Sequence, residues 1–187
     1  VNSGASWVRQ IMPWKRWITA VSFGDPNTVT AVGDSGTIMR STDGGLTWSG
    51  PQAGTLKNRL NGGFSLGATI AIAVGDSGTI LRTNDGGATW TSQRSGTTNR
   101  LSGVWFVNAN SGLVVGDGGT VLRTTNGGAT WILQPKRTSN ALWGVSFTSG
   151  NTGIVVGDRG TIIRTIMSDV VSTVEPPHGS AMALQFS

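Results

Sequence analysis

Short apolar runs alternate with turn residues along most of the chain, and no segment carries a long apolar pattern of helical period. Between Leu101 and Gln134, the runs LSGVWFV, GLVVG, TVLRT and ATWILQ are separated by clusters of Asn, Asp, Ser and Gly. Runs of this length that are rich in β-branched and aromatic residues are typical of strands, and the clusters between them are typical of tight turns. This segment therefore predicts four short antiparallel strands.

The same pattern recurs at a nearly constant spacing. VGDSGTIMRSTDGGLTW begins at Val32, VGDSGTILRTNDGGATW at Val74 and VGDGGTVLRTTNGGATW at Val115, and a shorter copy, VGDRGTIIRT, begins at Val156. Successive copies are 42, 41 and 41 residues apart. A period near 40 residues with four strands in each unit is typical of a β-propeller, in which each unit is one blade.

The number of outer strands suggests how the ring closes. The first three units end in a strand with Trp48, Trp90 or Trp131, whereas no such strand follows the fourth unit. Instead, GASWVRQ around Trp7 resembles GATWTSQ around Trp90. We therefore expect an all-β propeller of four-stranded antiparallel blades, with four blades closed by the N-terminal strand. An excised piece of a larger propeller and a half-ring that dimerises are the alternatives.

The chain divides into a repeat region and a remainder. We assign residues 1–165 to an Asp-box propeller with four repeats of about 41 residues, and residues 166–187 to a C-terminal tail or linker. The Pro-Pro and Gly-Ser pairs of the second segment are typical of linkers. The longest strongly apolar run, from Ala68 to Val74, is too short to span a bilayer.

The hairpins between third and outer strands read STDGGLTW, TNDGGATW and TTNGGATW, and they resemble the Asp-box, which is also called the BNR repeat. The Asp or Asn side chain can accept backbone N–H groups within such a turn, and the glycines supply positive φ. The Trp buries a large apolar face. We expect structural roles for all six of these residues, which are Asp43, Trp48, Asp85, Trp90, Asn126 and Trp131.

The complete unit, VGDxGTIxRTxDGGxTW with LxGVxF upstream, resembles the photosystem II assembly and stability factor family of Asp-box propellers. The resemblance covers residues 1 to about 165. It implies a protein that binds membrane-protein partners during assembly. The best-studied members of the family are longer, with seven blades, and an extracytoplasmic, thylakoid-lumen-like or virion-associated location is expected.

Asp-boxes also occur in sialidases, but the residues that such enzymes need are missing. Sialidases use a Tyr nucleophile, and this chain contains no tyrosine. Its only glutamate, Glu175, and its only histidine, His178, lie in the predicted tail, and it contains no cysteine. Clustered histidines that would indicate a metal site are also absent. We predict no catalytic residue, no metal site and no cofactor.

Two sets of charged residues recur once in each unit, which favours structural roles for both. We expect the arginines to pair with the Val-Gly-Asp aspartates of a neighbouring blade, and the aspartates to hold their turns. The arginines are Arg40, Arg82, Arg123 and Arg164, and the aspartates are Asp34, Asp76, Asp117 and Asp158.

The remaining charges are distributed unevenly around the predicted ring. The chain carries a net charge of +5, and ten of its 14 basic residues fall in outer-to-inner connections or second-to-third turns, which share one face of a propeller. Loops on a rigid scaffold concentrate binding residues, and Trp with Arg is a common interface anchor. We predict a partner-binding set on this face, made up of Trp14, Lys15, Arg16, Trp17, Lys57, Arg59, Arg94, Arg100, Lys136, Arg137 and Trp143. Trp105 is expected to fill space between blades instead.

These observations predict a non-catalytic scaffold that docks an acidic partner protein through its basic loop face, as in an assembly factor or a structural component of a larger complex. Such binding should be sensitive to salt. The alternative is a glycan-binding Asp-box propeller, a surface or virion adhesion module in which Trp side chains stack on sugars. Nucleic-acid binding is not expected, because no nucleic-acid motif is present and acidic residues are interspersed. The identity of the partner and the oligomeric state stay open.

Overall fold

The structure, a computed structural model, describes residues 7–10, 15–50, 57–148 and 152–166, and the backbone of residues 184–185. Within these residues the fold is all-β, with four sheets and no α-helix. Each sheet corresponds to one sequence repeat, and we call it a blade. No helix in the described part of the chain is long and apolar enough to cross a membrane.

The blades follow one another in chain order. Neighbouring strands within a blade are antiparallel, except that the fourth strand of blade 4 pairs in parallel with the third. Blade 1 contains β1 (Ile18–Phe23), β2 (Val29–Gly33) and β3 (Ile38–Ser41). Blade 2 contains β4 (Leu60–Leu66), β5 (Ile70–Gly75), β6 (Ile80–Thr83) and β7 (Thr91–Gln93). Blade 3 contains β8 (Leu101–Phe106), β9 (Gly112–Gly116), β10 (Thr120–Thr124) and β11 (Ile132–Leu133). Blade 4 contains β12 (Leu142–Phe147), β13 (Thr152–Gly157), β14 (Ile162–Ile166) and β15 (Leu184–Gln185).

The Gly-rich turn between the second and third strands is a tight hairpin. In blade 1, Ser35 and Gly36 have φ of 54° and 67°, and Thr37 N–H donates to the carbonyl oxygen of Asp34 over 3.0 Å. Two successive residues with positive φ are the pattern of a type I′ turn, whose twist matches that of the flanking strands. The repeated Val-Gly-Asp motif therefore belongs to the scaffold.

The hydrophobic core lies between consecutive blades rather than inside any one of them. Ile38, Ile80 and Val121 hold the same position in the third strands of blades 1, 2 and 3, and all three are buried. Each belongs to a cluster that includes residues of the next blade. Trp105 takes part in this packing, with its ring centroid 5.3 Å from that of Phe64 in blade 2. Blade-to-blade burial is therefore the main apolar contribution to stability.

Blade 4 does not meet the N-terminal segment in the predicted way. Residues 7–10 form no strand, and the side chain of Trp7 is almost fully exposed. The outer edge of β14 pairs in parallel with β15 instead, so that Thr165 lies opposite Leu184. Among the described residues, no hydrophobic cluster joins blade 4 to blade 1. Closure of four blades by the N-terminal strand is therefore not confirmed, and most of the predicted tail lies outside the described residues.

Candidate functional site

A β-bulge marks the beginning of every inner strand. The pairing register shifts at the second residue of β1, β4, β8 and β12, which leaves one unpaired residue in each blade. A bulge changes the direction of a side chain relative to its neighbours. The four bulged residues line a single cleft of about 540 Å³, and they are Thr19, Asn61, Ser102 and Trp143. The cleft therefore lies where the inner strands of all four blades begin.

A second set of side chains reaches the cleft from the residues that precede the inner strands. Trp17, Arg59 and Arg100 hold this position in blades 1, 2 and 3, and all three line the cleft. The equivalent residue of blade 4 is Ala141. The structure thus brings together four members of the predicted binding set, namely Trp17, Arg59, Arg100 and Trp143.

The two cleft arginines each face a Val-Gly-Asp aspartate of the preceding blade. Arg59 Nε lies 3.1 Å from Asp34 Oδ1, and Arg100 Nε lies 3.7 Å from Asp76 Oδ1. The second distance is too long for a hydrogen bond. The four side chains are between 33% and 44% exposed. Solvent-exposed ion pairs of this kind contribute little to stability. Nε makes the closest approach in both pairs, and each guanidinium group carries further N–H donors of the kind that bind carboxylates.

The tryptophan at the blade 4 end of the cleft is held in a fixed orientation. Trp143 Nε1 donates a hydrogen bond to Asp158 Oδ1 over 2.6 Å. The guanidinium carbon of Arg100 lies 5.3 Å from the ring centroid of Trp143, within cation–π range. Trp143 as a whole nevertheless stays 43% exposed. The guanidinium group of Arg100 therefore lies over one face of the Trp143 ring, and both side chains line the cleft.

A repeated asparagine, which the sequence analysis did not identify, anchors the connections next to the cleft. Asn58 Nδ2 donates to Thr79 Oγ1 over 2.8 Å in blade 2, and Asn99 Nδ2 donates to Thr120 Oγ1 over 2.9 Å in blade 3. Asn140 makes the same contact in blade 4. The signal in the sequence is the recurrence of Asn two residues before the leucine that begins the inner strands of blades 2, 3 and 4. Arg59 and Arg100 are therefore each preceded by an asparagine whose side chain is held by a hydrogen bond to a turn threonine.

The repeated arginines of the third strands have different partners from those predicted. Arg82 Nε donates to the carbonyl oxygen of Gly127 over 2.9 Å, and the Arg40 guanidinium donates to the carbonyl oxygen of Ala68. Both acceptors lie at the Asp-box face of the next blade. The predicted pairing with Val-Gly-Asp aspartates was therefore wrong for Arg40 and Arg82, because their side chains reach the face opposite the cleft.

The Val-Gly-Asp aspartates hold their turns as predicted, but through the backbone rather than the carboxylate. Their backbone carbonyls close the turns, as the bond from Thr37 N–H to Asp34 shows. Two of the carboxylates bind other side chains: Asp76 Oδ1 accepts a hydrogen bond from Asn61 Nδ2 over 2.9 Å as well as facing Arg100, and Asp158 Oδ1 accepts one from Trp143. These acidic groups share the face that carries the basic connections, so they neutralise part of its positive charge.

The Asp-box residues form a closed set of local hydrogen bonds on the opposite face. Asp43 accepts hydrogen bonds from the hydroxyl and backbone N–H of Thr47 and from the Ser41 hydroxyl. The Thr47 hydroxyl bond is the main cause that lowers the pKa of Asp43 to about 2. The equivalent bonds from Thr89 lower the pKa of Asp85.

In blade 3 an amide replaces the carboxylate of the box. Asn126 Oδ1 accepts from Thr130 N–H over 2.9 Å, and its Nδ2 donates to Thr130 Oγ1 over 2.8 Å. The box tryptophans lie beneath the hairpins: Trp90 packs against the cluster between blades 1 and 2, and Trp131 meets Phe106 edge to face at 5.9 Å. Trp48 is half-buried.

The other predicted binding residues lie outside the cleft. Five of them have exposed side chains and are not among the cleft-lining residues, namely Lys15, Arg16, Lys57, Lys136 and Arg137. Arg94 lines a separate cavity of about 390 Å³ with Trp131 and Leu133, between the outer strands of blades 2 and 3. Trp14 lies outside the described residues. The sequence analysis missed Asn61, Ser102 and Thr19 as cleft residues, although they share the repeat position of Trp143.

The described residues offer no obvious metal site. Within the ranges that the structure covers, no group of three or more His, Cys, Asp or Glu side chains is arranged to hold an ion.

Comparison with known proteins agrees with this fold. A family model described as photosynthesis system II assembly factor YCF48 matches residues 1–92 and 64–135. The structure of "YCF48 bound to D1 peptide" superposes with a TM-score of 0.68 at 23% identity, over 82% of this chain and 51% of that one. YCF48 from Cyanidioschyzon merolae superposes with a TM-score of 0.62 at 23% identity, over 84% of this chain and 59% of that one. No curated protein matches.

Enzymes share the same architecture. The GH74 enzyme of Niastella koreensis superposes with a TM-score of 0.64 at 19% identity, over 80% of this chain and 28% of that one. At such identities the likeness shows the fold alone, and a fold does not decide between binding and catalysis.

The length of the match separates this chain from its relatives. The chain spans between one-half and three-fifths of the two YCF48 structures. The family model nevertheless matches more than half of the chain, up to residue 135. The chain therefore belongs to the photosynthesis system II assembly factor YCF48 family of BNR-repeat propellers.

Proposed function

We propose that the protein is a non-catalytic binding module that docks an acidic segment of a partner protein in the cleft, as in an assembly factor. The observation that carries the proposal is the convergence of Trp17, Arg59, Arg100 and Trp143, from four successive blades, on one cleft. Family membership and the YCF48 structure described as bound to D1 peptide support a peptide as the ligand class.

The chemistry of the cleft favours carboxylate groups. Guanidinium groups form charge-assisted, often bidentate, hydrogen bonds with carboxylates. The side chains of the Arg59–Asp34 and Arg100–Asp76 pairs are between 33% and 44% exposed, so a ligand carboxylate that enters the cleft would meet guanidinium groups that are still partly open to water. A cleft of about 540 Å³ is also within the usual range of ligand sites.

The charges outside the cleft fit a role in attracting the partner. Lys15, Arg16, Lys57, Lys136 and Arg137 are exposed in connections on the same face. Exposed charges of one sign speed the encounter with an oppositely charged partner, and salt screens this effect. Family membership supports a location outside the cytoplasm, which we include in the proposal.

Glycan binding is the second candidate. The observation that favours it is the pair of exposed tryptophans, Trp17 and Trp143, which flank a cleft that also contains the polar side chains of Asn61 and Ser102. Aromatic faces with nearby amide and hydroxyl groups suit sugar rings. GH74 enzymes share the architecture.

Fluorescence anisotropy with a labelled peptide of about twelve residues, rich in Asp and Glu and with one Phe, tests the proposal. The double variant Arg59→Ala/Arg100→Ala removes the cleft cations. The variant Arg94→Ala/Arg137→Ala changes the net charge equally outside the cleft and is the matched control. We expect the cleft variant to weaken binding about tenfold or more and the control to weaken it only about twofold.

The two candidates differ in their response to salt and to tryptophan removal. Peptide binding should weaken steeply between about 50 and 300 mM NaCl, since screening shortens the range of the arginine charges. Binding of a neutral oligosaccharide should be nearly insensitive to salt and should disappear in Trp143→Ala. Equal binding of the acidic peptide and a Gln/Asn version of it would contradict the docking proposal.

A further inference from the structure

The outer strand of blade 3 departs from the repeat in its residue types. Ile132 and Leu133 of β11 are 64% and 46% exposed. In blade 2, β7 pairs with its third strand in the same register and has Thr91 and Ser92 at these positions. The sequence of blade 1 has Ser-Gly there. The strand therefore does not need apolar residues in order to form, and the two adjacent exposed aliphatic side chains require another explanation.

The outer edge of β11 is open. β11 is the last strand of its sheet, and no strand in the described part of the chain pairs with its other side. Gln134 N–H donates inward to the carbonyl oxygen of Val121 over 2.9 Å. Because inward and outward backbone groups alternate along an antiparallel strand, the N–H and C=O groups of Leu133 point outward. Such an edge can accept an extended segment as a further strand.

The cavity of about 390 Å³ between the outer strands of blades 2 and 3 lies beside this edge. Leu133, Ala129 and the buried Trp131 supply apolar surface to it, and Gln93 and Arg94 from the end of β7 supply polar groups. Its volume is within the usual range of ligand sites, and it can hold one large apolar side chain. A strand added to the outer edge of β11 would therefore have a pocket for one of its side chains.

The charge around this cavity is positive. Arg59 and Arg100 of the cleft each face an aspartate, whereas Arg94 takes part in no ion pair among the residues that the structure describes. No carboxylate side chain lines the cavity. Lys136 and Arg137 are exposed just beyond β11. A segment with an acidic residue would therefore complement the charge of this region.

We propose that a second docking site binds an extended segment of a partner protein that carries one large apolar residue and one acidic residue. The segment pairs with the outer edge of β11, with its apolar side chain in the cavity and its carboxylate against Arg94. Because alternate side chains of a strand share one face, the acidic residue lies two positions from the apolar one. We call this the rim site, and it consists of Arg94, Trp131, Ile132 and Leu133. It shares no lining residue with the cleft, so the inference does not depend on the proposed function.

Proton–nitrogen NMR spectra of the 187-residue chain test the rim site with a blocked peptide, acetyl-Thr-Phe-Thr-Glu-Val-Thr-amide. We expect saturable shifts of the backbone amides of Leu133 and Gln134 and of the Trp131 indole N–H. The indole N–H of Trp143 in the cleft should not shift. The absence of saturable shifts at about 2 mM peptide, a concentration that would reveal a Kd of about 1 mM, overturns the proposal.

The repeat itself supplies a variant that should fold. Ile132→Thr/Leu133→Ser gives β11 the residues of β7, and it should weaken peptide binding about tenfold. Leu46→Ser removes an exposed leucine from the Asp-box turn of blade 1, and Arg59→Ala/Arg100→Ala changes the cleft, so both should bind the peptide as the parent does. Circular dichroism verifies that each variant is folded. Parent-like binding by the β11 variant, or an equal loss in either control, overturns the proposal.

Changes to the peptide test the carboxylate and the strand pairing. Replacing its Glu by Gln should weaken binding to the parent about threefold or more and leave binding to Arg94→Gln unchanged. N-methylation of single peptide residues should weaken binding at every second position, because alternate N–H groups of an added strand face β11. Equal binding of the Glu and Gln peptides by the parent, or N-methylation without effect at every position, overturns the proposal.

Discussion

The two faces of each blade use the repeat in opposite ways. On the Asp-box face, Thr47, Thr89 and Thr130 make equivalent hydrogen bonds to residue 43, 85 or 126 in three successive blades. On the cleft face, the bulged position changes with every blade, from Thr19 through Asn61 and Ser102 to Trp143. The Asp-box side chains are repeated because every blade needs them for folding. The bulged position varies in residue type, although Thr19 and Asn61 both use it to donate a hydrogen bond to the first residue of the next inner strand, Leu60 or Leu101.

The varied side chains are nevertheless mounted on a repeated frame. Asn58 and Asn99 fix the connections to the turn threonines, and the bulge occurs in all four inner strands. The cleft is therefore rigid in its backbone and variable in its side chains, which is a favourable combination for specific binding.

The largest expected difference between the two faces comes from a matched pair of Trp→Ala changes. Trp131 is 8% exposed and packs against Phe106, so Trp131→Ala should lower the free energy of unfolding by about 3–5 kcal/mol. Trp143→Ala at the cleft should cost less than about 1 kcal/mol. Urea unfolding monitored by circular dichroism measures both, and a similar loss in the two variants would contradict the division into scaffold and cleft.

A second pair tests the turns that support the cleft. A Cβ atom at Gly119 would lie 1.8 Å from the carbonyl oxygen of Thr138, whereas one at Gly160 would have nothing within 4 Å, and both residues have φ near 70°. Gly160→Ala should cost about 1–2 kcal/mol for the left-handed backbone alone. Gly119→Ala should cost clearly more, since the backbone must also move. Equal midpoints of urea unfolding in the two variants would contradict this expectation, because they would mean that the backbone at Thr138 moves away from the blade 3 turn without a cost in stability.

A third comparison separates the two kinds of arginine. Arg82→Ala removes a partly buried hydrogen bond to Gly127, so it should lower the free energy of unfolding by about 1 kcal/mol and leave peptide binding unchanged. Arg100→Ala removes an exposed pair and should cost less than about 0.5 kcal/mol while weakening binding. Thermal unfolding and anisotropy on the same samples measure both quantities. A loss of binding in Arg82→Ala would argue against the cleft as the site.

The smallest expected effect is a dependence of stability on acid. The folded-state pKa of Asp43 is lowered to about 2 by its bonds to Thr47, and that of Asp85 is lowered in the same way. Because a lowered pKa stabilises the folded state only while the group is ionised, this contribution is complete above about pH 4 and is lost as pH falls towards 2. In the double variant Asp43→Asn/Asp85→Asn, the midpoint of urea unfolding should therefore fall less between pH 5 and pH 2.5 than it does in the parent protein. Asn126 shows that the turn accepts an amide.

Much of the scaffold was predictable because its requirements recur. The strands GLVVG and TVLRT, the tight Asp-Gly turns and the packing of Trp105 between blades all follow from composition and period. The bulges were not predictable, because an extra residue in a strand does not change its composition. The partners of Arg40 and Arg82 were missed because strand position does not reveal which edge of the sheet a long side chain reaches. Closure by the N-terminal strand was not confirmed. The similarity of the segment around Trp7 to an outer strand does not reveal which strand that segment would pair with.

Hydrogen exchange with and without a saturating acidic peptide tests the central claim most directly. The account predicts slower exchange at the starts of the inner strands, at residues 17–19, 59–61, 100–102 and 141–143, and no change in the Asp-box hairpins at residues 43–48, 85–90 and 126–131. Protection confined to the hairpins, or spread equally over both sets, would contradict the assignment of binding to the varied face of the blades.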